Sequence, residues 1–517
     1  MFPLMAQQVR LAELLGSLSF AGDLGRGQPM GHVLRTCRIA MALAEDAGLS
    51  QEEKSAVYFT ALLVHAGCTA GSADFAAFLA GDELRAQKDF CLCDPTNMRE
   101  LFGWLGRNVS PGRALPARTL RMLQLMAGGE KAFKEIDEGC SEVGSRIAAR
   151  FGLSLDTQKS LYNICETWNG KGPHGLKGAA IPLPARMVNV AMITEVFFSE
   201  RGLAAARAAA LARAGKLFDP ELGAAAGALC QEGPFWSGMQ EREPWDTVLA
   251  LEPGPPRYVD ESNLDDFALA LADIVDLKSN TTAVHSRRTG ELADAVARRM
   301  RLSDSDVALT RRAGLVHDAG LVAVSSFLLG RAASWSEVEF ESYRLHPYYT
   351  ERILSRSPVL KPVGALAASH HEALDGSGFH GGLDAASLSQ AARILAAVVA
   401  FQEKAGSSPA DVEVEPHLKA MSHDVRLDGD AVSALAVELG AASPVPPKRE
   451  VWPAGLTDRE VEVLRLLATG LKIKRIADHL VISAHTARHH VESIYSKAGV
   501  ASRAGAVLFA VDNQLIR

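Results

Sequence analysis

Apolar residues recur along this chain at the three- and four-residue spacing of helices rather than the alternation of strands. Leu11, Leu14, Leu15 and Leu18 place one apolar face on a helix over residues 9 to 20, and GHVLRTCRIAMALAEDAGLS predicts an amphipathic helix behind His32 that ends at Gly48. The same rhythm returns at Leu264, Phe267, Leu271, Ile274 and Val275, and again at Leu292, Val296 and Met300 behind His285. Near the carboxy end, Thr457 and Glu460 form a capping box ahead of the stripe Val461, Leu464, Leu467 and Ala468, which stops at Gly470. A short helix over Ile473–Leu480, a turn at Val481–Ser483 and a longer helix over Ala484–Ala498 follow. The expected fold class is all-α.

Proline interrupts this rhythm twice. Pro234, Pro244, Pro253, Pro255 and Pro256 exclude a continuous helix over 233–261, where Trp236 and Trp245 predict an ordered linker packed on one module. The run ASPVPPKREVWPAG predicts a hinge over 441–453. At 517 residues the chain exceeds the size at which single cores stop growing. The expected domains are a module over 1–232 with an insertion at about 67–139, a second module over 262–440, and a four-helix tail over 454–517.

The two modules are expected to repeat one unit. His32 and His65 are 33 residues apart, and His285 and His317 are 32 apart; Cys140 to Ile164 is 24, as is His346 to His370. WNGKGPHGLKG from Trp168 parallels LDGSGFHGGL from Leu374, Arg186 parallels Arg393, and LFDPEL near Phe218 parallels RLDGDAV near Leu427.

Composition narrows the class. Hydrophobic residues make up 48% and aromatics 6%, the balance of a water-soluble helical protein. No apolar run reaches the roughly 18 residues needed to cross a bilayer. The start, MFPLMAQQVRLAELLG, lacks the basic flank and cleavage site of a leader, so a cytoplasmic location away from membranes is expected. Seven cysteines, odd in number and all in the first half, argue against a disulfide framework. Net charge is −7, yet residues 451–517 carry nine Lys/Arg against six Asp/Glu, as a nucleic-acid contact requires.

The candidate chemistry lies between Ala313 and Leu383. AGLVHDAGL supplies His317 and Asp318, a His-Pro pair supplies His346, and ASHHEALDGSGFHGGL supplies His370 and His371, then Glu372 and the turn Asp375, Gly376, Ser377, Gly378. Several imidazoles with a carboxylate suit one or two divalent ions such as Mn, Fe, Ni or Zn. This order of motifs, over roughly Leu264 to Leu439, resembles the HD-GYP branch of the HD phosphohydrolases. The resemblance implies a helical metal-dependent hydrolase of cyclic dinucleotides, chiefly cyclic di-GMP. It implies His285, His317, Asp318, His346, His370 and His371 as metal ligands, with Asp318 bridging, His317 and Asp318 catalytic, and Asp375 orienting a histidine or closing the turn.

Three motifs depart from that pattern: Leu321 stands for a usual lysine, Gly378-Phe379-His380 for Gly-Tyr-Pro, and Val399 for the last aspartate ligand. Losing an anionic ligand and a cation predicts a metal- or nucleotide-binding sensor derived from a hydrolase. The alternative is a phosphodiesterase acting on cyclic di-GMP or another phosphoester. In the first copy Ala66, Cys140, Ile164, Cys165 and Met192 replace the ligands, so that copy is expected to be catalytically dead. There, His32, His65, Cys140 and Cys165 are a candidate zinc or redox-sensitive set.

The tail reads as a helix-turn-helix, and LTDREVEVL, IADHLVIS and TARHHV from Thr486 to Val491 resemble the LuxR-type DNA-binding domain. Its departures are Ile473, Arg475 and Ala487. The resemblance implies double-stranded DNA as partner, the second helix in the major groove, and a homodimer on paired half-sites. Lys472, Arg475, Arg488 and Lys497 are the candidate phosphate contacts, and His485, Thr486 and His489 the candidate base contacts. The whole chain is thus expected to be a transcription regulator.

Overall fold

The computed structural model describes residues 9–240, 244–278, 284–405, 414–440, 452–480 and 482–516. The predicted hinge over 441–453, apart from Trp452 and Pro453, and Val481 of the predicted turn lie outside the described residues. The chain is all-α among the described residues apart from one two-residue pairing, Val9–Arg10 antiparallel to Tyr258–Val259. It divides into two compact units, Met1–Asp266 with Ser325–Ala332, and Phe267–Val324 with Ala333–Arg517.

In the first unit the leading apolar stripe extends further than its periodicity predicts, forming the helix Leu11–Gly25. Helices His32–Asp46 and Gln51–Leu62 pack with it, and Leu183–Arg201 packs on those two. The insertion folds into Ser72–Leu79, Glu83–Cys91, Met98–Asn108 and the first part of the long helix Leu115–Arg150. Phe75, Phe78, Phe90, Trp104 and Phe133 give it an aromatic core of its own. In the proline-rich stretch Glu241, Arg242 and Glu243 lie outside the described residues, and both tryptophans pack on the first unit. Trp245 stacks on Phe20 at 5.6 Å, and Trp236 lies 4.7 Å from Phe198.

In the second unit, helices His285–Arg299, Asp304–Val316, His346–Leu354, Lys361–Ala367 and Gln390–Ala405 surround the histidines. Val296, Val307, Ile394, Val398, Phe401 and Leu435 are buried in their shared core. The tail forms Asp458–Ala468, Ile473–Leu480, Ala484–Ala498 and Arg503–Asp512 around Val463, Leu464, Ile476, Ala487 and Ile494. Its predicted capping box is present, Thr457 Oγ1 accepting from Glu460 N at 3.2 Å while Thr457 N donates to Glu460 at 2.7 Å.

Each unit makes the same local bonds, which sets the register of the repeat. Asp23 accepts from the Gly31 and Val33 amides at 2.8 and 3.0 Å, and Asp276 accepts from Ser286 N and Oγ at 3.2 and 2.7 Å. Arg186 donates to the Ile181 carbonyl and pairs with Asp219; Arg393 donates to the Leu388 carbonyl and pairs with Asp428. Gly67 and Gly320 play one part: a Cβ on either would collide with backbone, that of Cys140 in one unit and of His346 in the other. Counting from these glycines places Val64 opposite His317 and His65 opposite Asp318. The spacing argument, which paired His65 with His317, is therefore displaced by one residue.

Candidate metal centre and nucleic-acid interface

The loop after Asp304–Val316 begins at His317 and tightens into the short helix Ala319–Ala323. Gly320 allows this loop to lie against the first turn of His346–Leu354, because any side chain would meet the carbonyl carbon of His346 at 2.7 Å. Thr350 locks the two together: its hydroxyl donates to the His317 carbonyl at 2.8 Å and accepts from Gly320 N at 2.9 Å. His317, Asp318 and His346 are thereby fixed relative to one another by backbone, not by loose side chains.

Asp318 sits between two groups of imidazoles. Its Oδ2 lies 3.6 Å from His285 Nε2 and 3.3 Å from His317 Nε2, while Oδ1 lies 3.5 Å from His346 Nε2 and 3.7 Å from His370 Nε2. Two sets of potential ligand atoms result, His285 with His317 and Asp318, and His346 with His370 and His371. All six residues predicted as ligands are brought together.

The rings are held for coordination. Nδ1 of His317, His346 and His370 each faces the carbonyl three residues earlier, Gly314 at 2.9 Å, Tyr343 at 2.7 Å and Ala367 at 2.7 Å. A carbonyl can only accept, so Nδ1 carries the proton and Nε2 keeps its lone pair toward the centre. Burial pushes His285 down to about 4 and His371 to about 3, and lowers His346 and His370 too. Neutral imidazole is the form that binds a cation. Burial opposes ionisation of Asp318, but His317 and its neighbours hold that carboxyl well below the usual range. Burial opposes a charge on His317 as well, but the Asp318 carboxylate raises that imidazole above its ordinary value, so a cation there would displace a proton. The other four imidazoles, held neutral about one anionic carboxylate, fit divalent cations.

Val399 is buried and apolar, as expected of its side chain, so it offers no ligand. One turn later on the same helix, however, Glu403 Oε1 lies 3.6 Å from His371 Nε2 and accepts from Tyr343 Oη at 3.4 Å. Burial and then the charge of Asp318 raise Glu403 to about 7. Sequence reasoning missed this carboxylate; its four-residue offset from Val399, one helical turn, was the available signal. Glu372, part of the motif but given no role there, is buried and accepts the amides of Gly381 at 2.6 Å and Leu383 at 2.8 Å, anchoring the glycine-rich loop. Asp375 closes its own turn by accepting from Ser377 N and Oγ at 3.0 and 2.6 Å, the second of the two roles expected of it. Phe379 stacks on His371 at 4.2 Å, and exposed Phe340 and Tyr348 stand nearby.

In the first unit the set His32, His65, Cys140 and Cys165 does not gather as a metal group among the described residues. His32 is drawn to buried Glu195 through Nδ1 and stacks on His65 at 5.5 Å. With His65 at the place of Asp318 and Val64 at the place of His317, that position of the first unit carries no carboxylate.

In the tail, Lys472, Arg475, His485, Thr486, Arg488 and His489 are exposed on and beside the Ala484–Ala498 helix. Ser483 caps that helix by accepting from Thr486 N at 3.0 Å. Lys497 is already engaged: its ammonium lies 2.7 Å from the capping-box Glu460. That ion pair supplies an internal role for Lys497, where the sequence pattern suggested only phosphate contact.

Residues 270–430 match the HD domain family, and residues 454–510 match the LuxR family of bacterial regulatory proteins. The chain is 30% identical over 431 residues to 3'3'-cGAMP-specific phosphodiesterase 3 of Vibrio cholerae, covering 82% of this chain and 94% of that protein. A crystal structure of a cyclic GMP-AMP-specific phosphodiesterase from V. cholerae superposes with a TM-score of 0.58 and 27% identity, covering 84% of this chain and 99% of that one. The DNA-binding transcriptional activator DevR/DosR of Mycobacterium tuberculosis is 37% identical over 87 residues, 17% of this chain and 38% of that protein. Among the described residues no helix is long and apolar enough to cross a membrane.

Proposed function

The chain belongs to the HD-domain family that includes cyclic-dinucleotide phosphodiesterases and carries a LuxR-type DNA-binding domain, and on that premise we propose that it is a DNA-binding regulator whose second module cleaves a cyclic dinucleotide. The observation that carries this reading is Asp318, whose two oxygens each face a separate pair of histidine nitrogens at 3.3 to 3.7 Å.

His285, His317 and Asp318 would hold one divalent ion, and His346, His370 and His371 a second, with Asp318 shared and Glu403 beside the second set. A bound pair of such ions supplies Lewis acidity at the phosphodiester and lowers the pKa of coordinated water. The protein's own contribution is positioning. The Gly314, Tyr343 and Ala367 carbonyls aim three rings, Thr350 fixes the loop that carries Asp318, and Glu372 anchors the turn that carries Phe379. Phe379, Phe340 and Tyr348 offer faces on which a nucleobase can stack. Glu403, which a cation beside His371 would hold ionised, would supply the negative charge whose loss at Val399 argued for a degenerate site. At the tail, exposed Lys472, Arg475 and Arg488 are suited to phosphates of double-stranded DNA, and a homodimer on paired half-sites fits this class of domain.

A second reading, a sensor that binds metal and nucleotide without cleaving, is favoured by Leu321 and by the buried methyls of Val399. The two are separated by comparing the protein with a Val399→Asp, Leu321→Lys double variant, each loaded with Mn or Fe, on 3′3′-linked cyclic GMP-AMP and cyclic di-GMP. Cleavage by both supports the hydrolase. Cleavage by the double variant alone establishes the sensor.

A further inference from the structure

The pocket of the first unit is not simply an emptied copy of the metal centre. Gly67 packs so closely on the Leu115–Arg150 helix that a Cβ there would stand 2.9 Å from the carbonyl carbon of Cys140 and 2.8 Å from Gly144 N. The next residue, Cys68, is thereby brought beside Cys140, and each of the two thiols is the largest influence on the ionisation of the other. Cys68 is partly accessible, whereas Cys140 is buried. His65 Nδ1 is 3.7 Å from Cys68 Sγ, and the guanidinium of Arg26 carries its charge to the same sulfur. Two polar atoms here, His65 Nε2 and Arg26 Nε, are buried without a hydrogen-bond partner among the described residues. His65 itself is 3% exposed, so its free nitrogen is held inside the pocket.

We propose that Cys68 and Cys140 form a redox site in which a hydroperoxide oxidises Cys68 and Cys140 then closes a disulfide. The seven thiols differ in the direction that this requires. Cys140 first, then Arg26 and His65, hold Cys68 well below the ordinary thiol range against the pull of burial. Burial pushes Cys37, Cys91 and Cys165 up, and raises Cys93 and Cys230 to about 11. Cys68 is therefore the one poised as thiolate, the nucleophilic form.

In the first step Cys68 sulfur attacks the terminal oxygen of ROOH. The S–O bond forms as the O–O bond breaks, and the departing alkoxide takes a proton to leave as ROH. In the second, Cys140 sulfur attacks the sulfenic sulfur of Cys68; S–S forms, S–O breaks, and hydroxide leaves with the Cys140 proton as water. Two thiols lose two electrons and the peroxide gains them.

The test treats full-length, freshly reduced protein with a small excess of hydrogen peroxide, blocks remaining thiols, and maps peptides without reduction. The expected first product is a Cys68–Cys140 disulfide with the other five thiols intact. Cys68 should react at least about tenfold faster than Cys93 or Cys230, as thiolate populations of this kind differ. In Cys140→Ser the oxidised Cys68 should persist as a sulfenic acid that dimedone traps. Disulfide between other pairs, a Cys68 that reacts no faster than Cys230, or zinc that co-purifies with the first unit and is lost in Cys68→Ser would each overturn the assignment. The wild-type map stands even if a variant fails to fold.

Discussion

Gly320→Ala is the smallest change that should dismantle the metal centre without touching a ligand. Its Cβ would lie 2.7 Å from the carbonyl carbon of His346 and 2.8 Å from Thr350 N, well inside the roughly 3.5–4.0 Å at which heavy atoms attract. Both neighbours are backbone in the first turns of His346–Leu354, so relief requires that helix to retreat by roughly 1 Å. Overpacking of this kind costs about 1–3 kcal/mol, and for a unit of this size each kcal/mol lowers Tm by about 2–4 °C. A fall of about 4–8 °C is expected for a cost of about 2 kcal/mol. The retreat also carries His346 Nε2 away from His370 Nε2, now at 2.9 Å, and from Asp318. Metal affinity at the second set should drop about 10–100-fold, the usual result of misdirecting a ligand. The assay pairs calorimetry with metal analysis after dialysis. Gly429→Ala is the control, because nothing lies within 4 Å of its Cβ and it opens a helix. A Gly320→Ala protein that melts with wild type and keeps its metal would refute the packing argument.

Further outcomes follow from the same geometry. Glu403→Gln should leave the fold intact but weaken the second ion about tenfold or more by removing the carboxylate beside His371, read as metal stoichiometry at limiting Mn. In the tail, burial pulls Glu460 upward, but Lys497, Ser493 and Thr457 hold it down at about 2. Because the folded value lies below the ordinary 4.5, its stabilisation is complete above that pH and fades as pH falls toward 2; thermal melts of Glu460→Gln should lack this acid slope. Arg488→Ala should weaken binding to all duplexes alike and reduce the dependence of affinity on salt by about one counterion. An unchanged salt slope would remove Arg488 from the interface.

Helix positions were legible wherever an apolar stripe met a cap or a breaker. Thr457 with Glu460, Gly470 and Ser483 place three tail helices to the residue, because capping is local chemistry. The repeat was legible in spacing, but its register was not. Spacing alone cannot tell His65 opposite His317 from His65 opposite Asp318, and only the close packing of Gly67 and Gly320 decides. The six candidate ligands were legible as a cluster of motifs, and the positions of His317, Asp318 and His346 are set by Thr350 and Gly320, residues with no chemical signature. Glu403 was not legible. Looking for a carboxylate at one position ignores that a helix offers nearly the same direction four residues later. Cys68 escaped notice because its partner is brought to it through the long helix of the insertion.

The account rests on Asp318 serving two cations at once. Its most direct test is turnover of a 3′3′-linked cyclic dinucleotide by full-length protein reconstituted with Mn or Fe, followed as release of linear dinucleotide and compared with Asp318→Asn. Cleavage by the wild-type protein that disappears in the variant, together with its metal, is the predicted result. A fully metallated wild-type protein that leaves the substrate intact, or a variant that cleaves as fast, would contradict it.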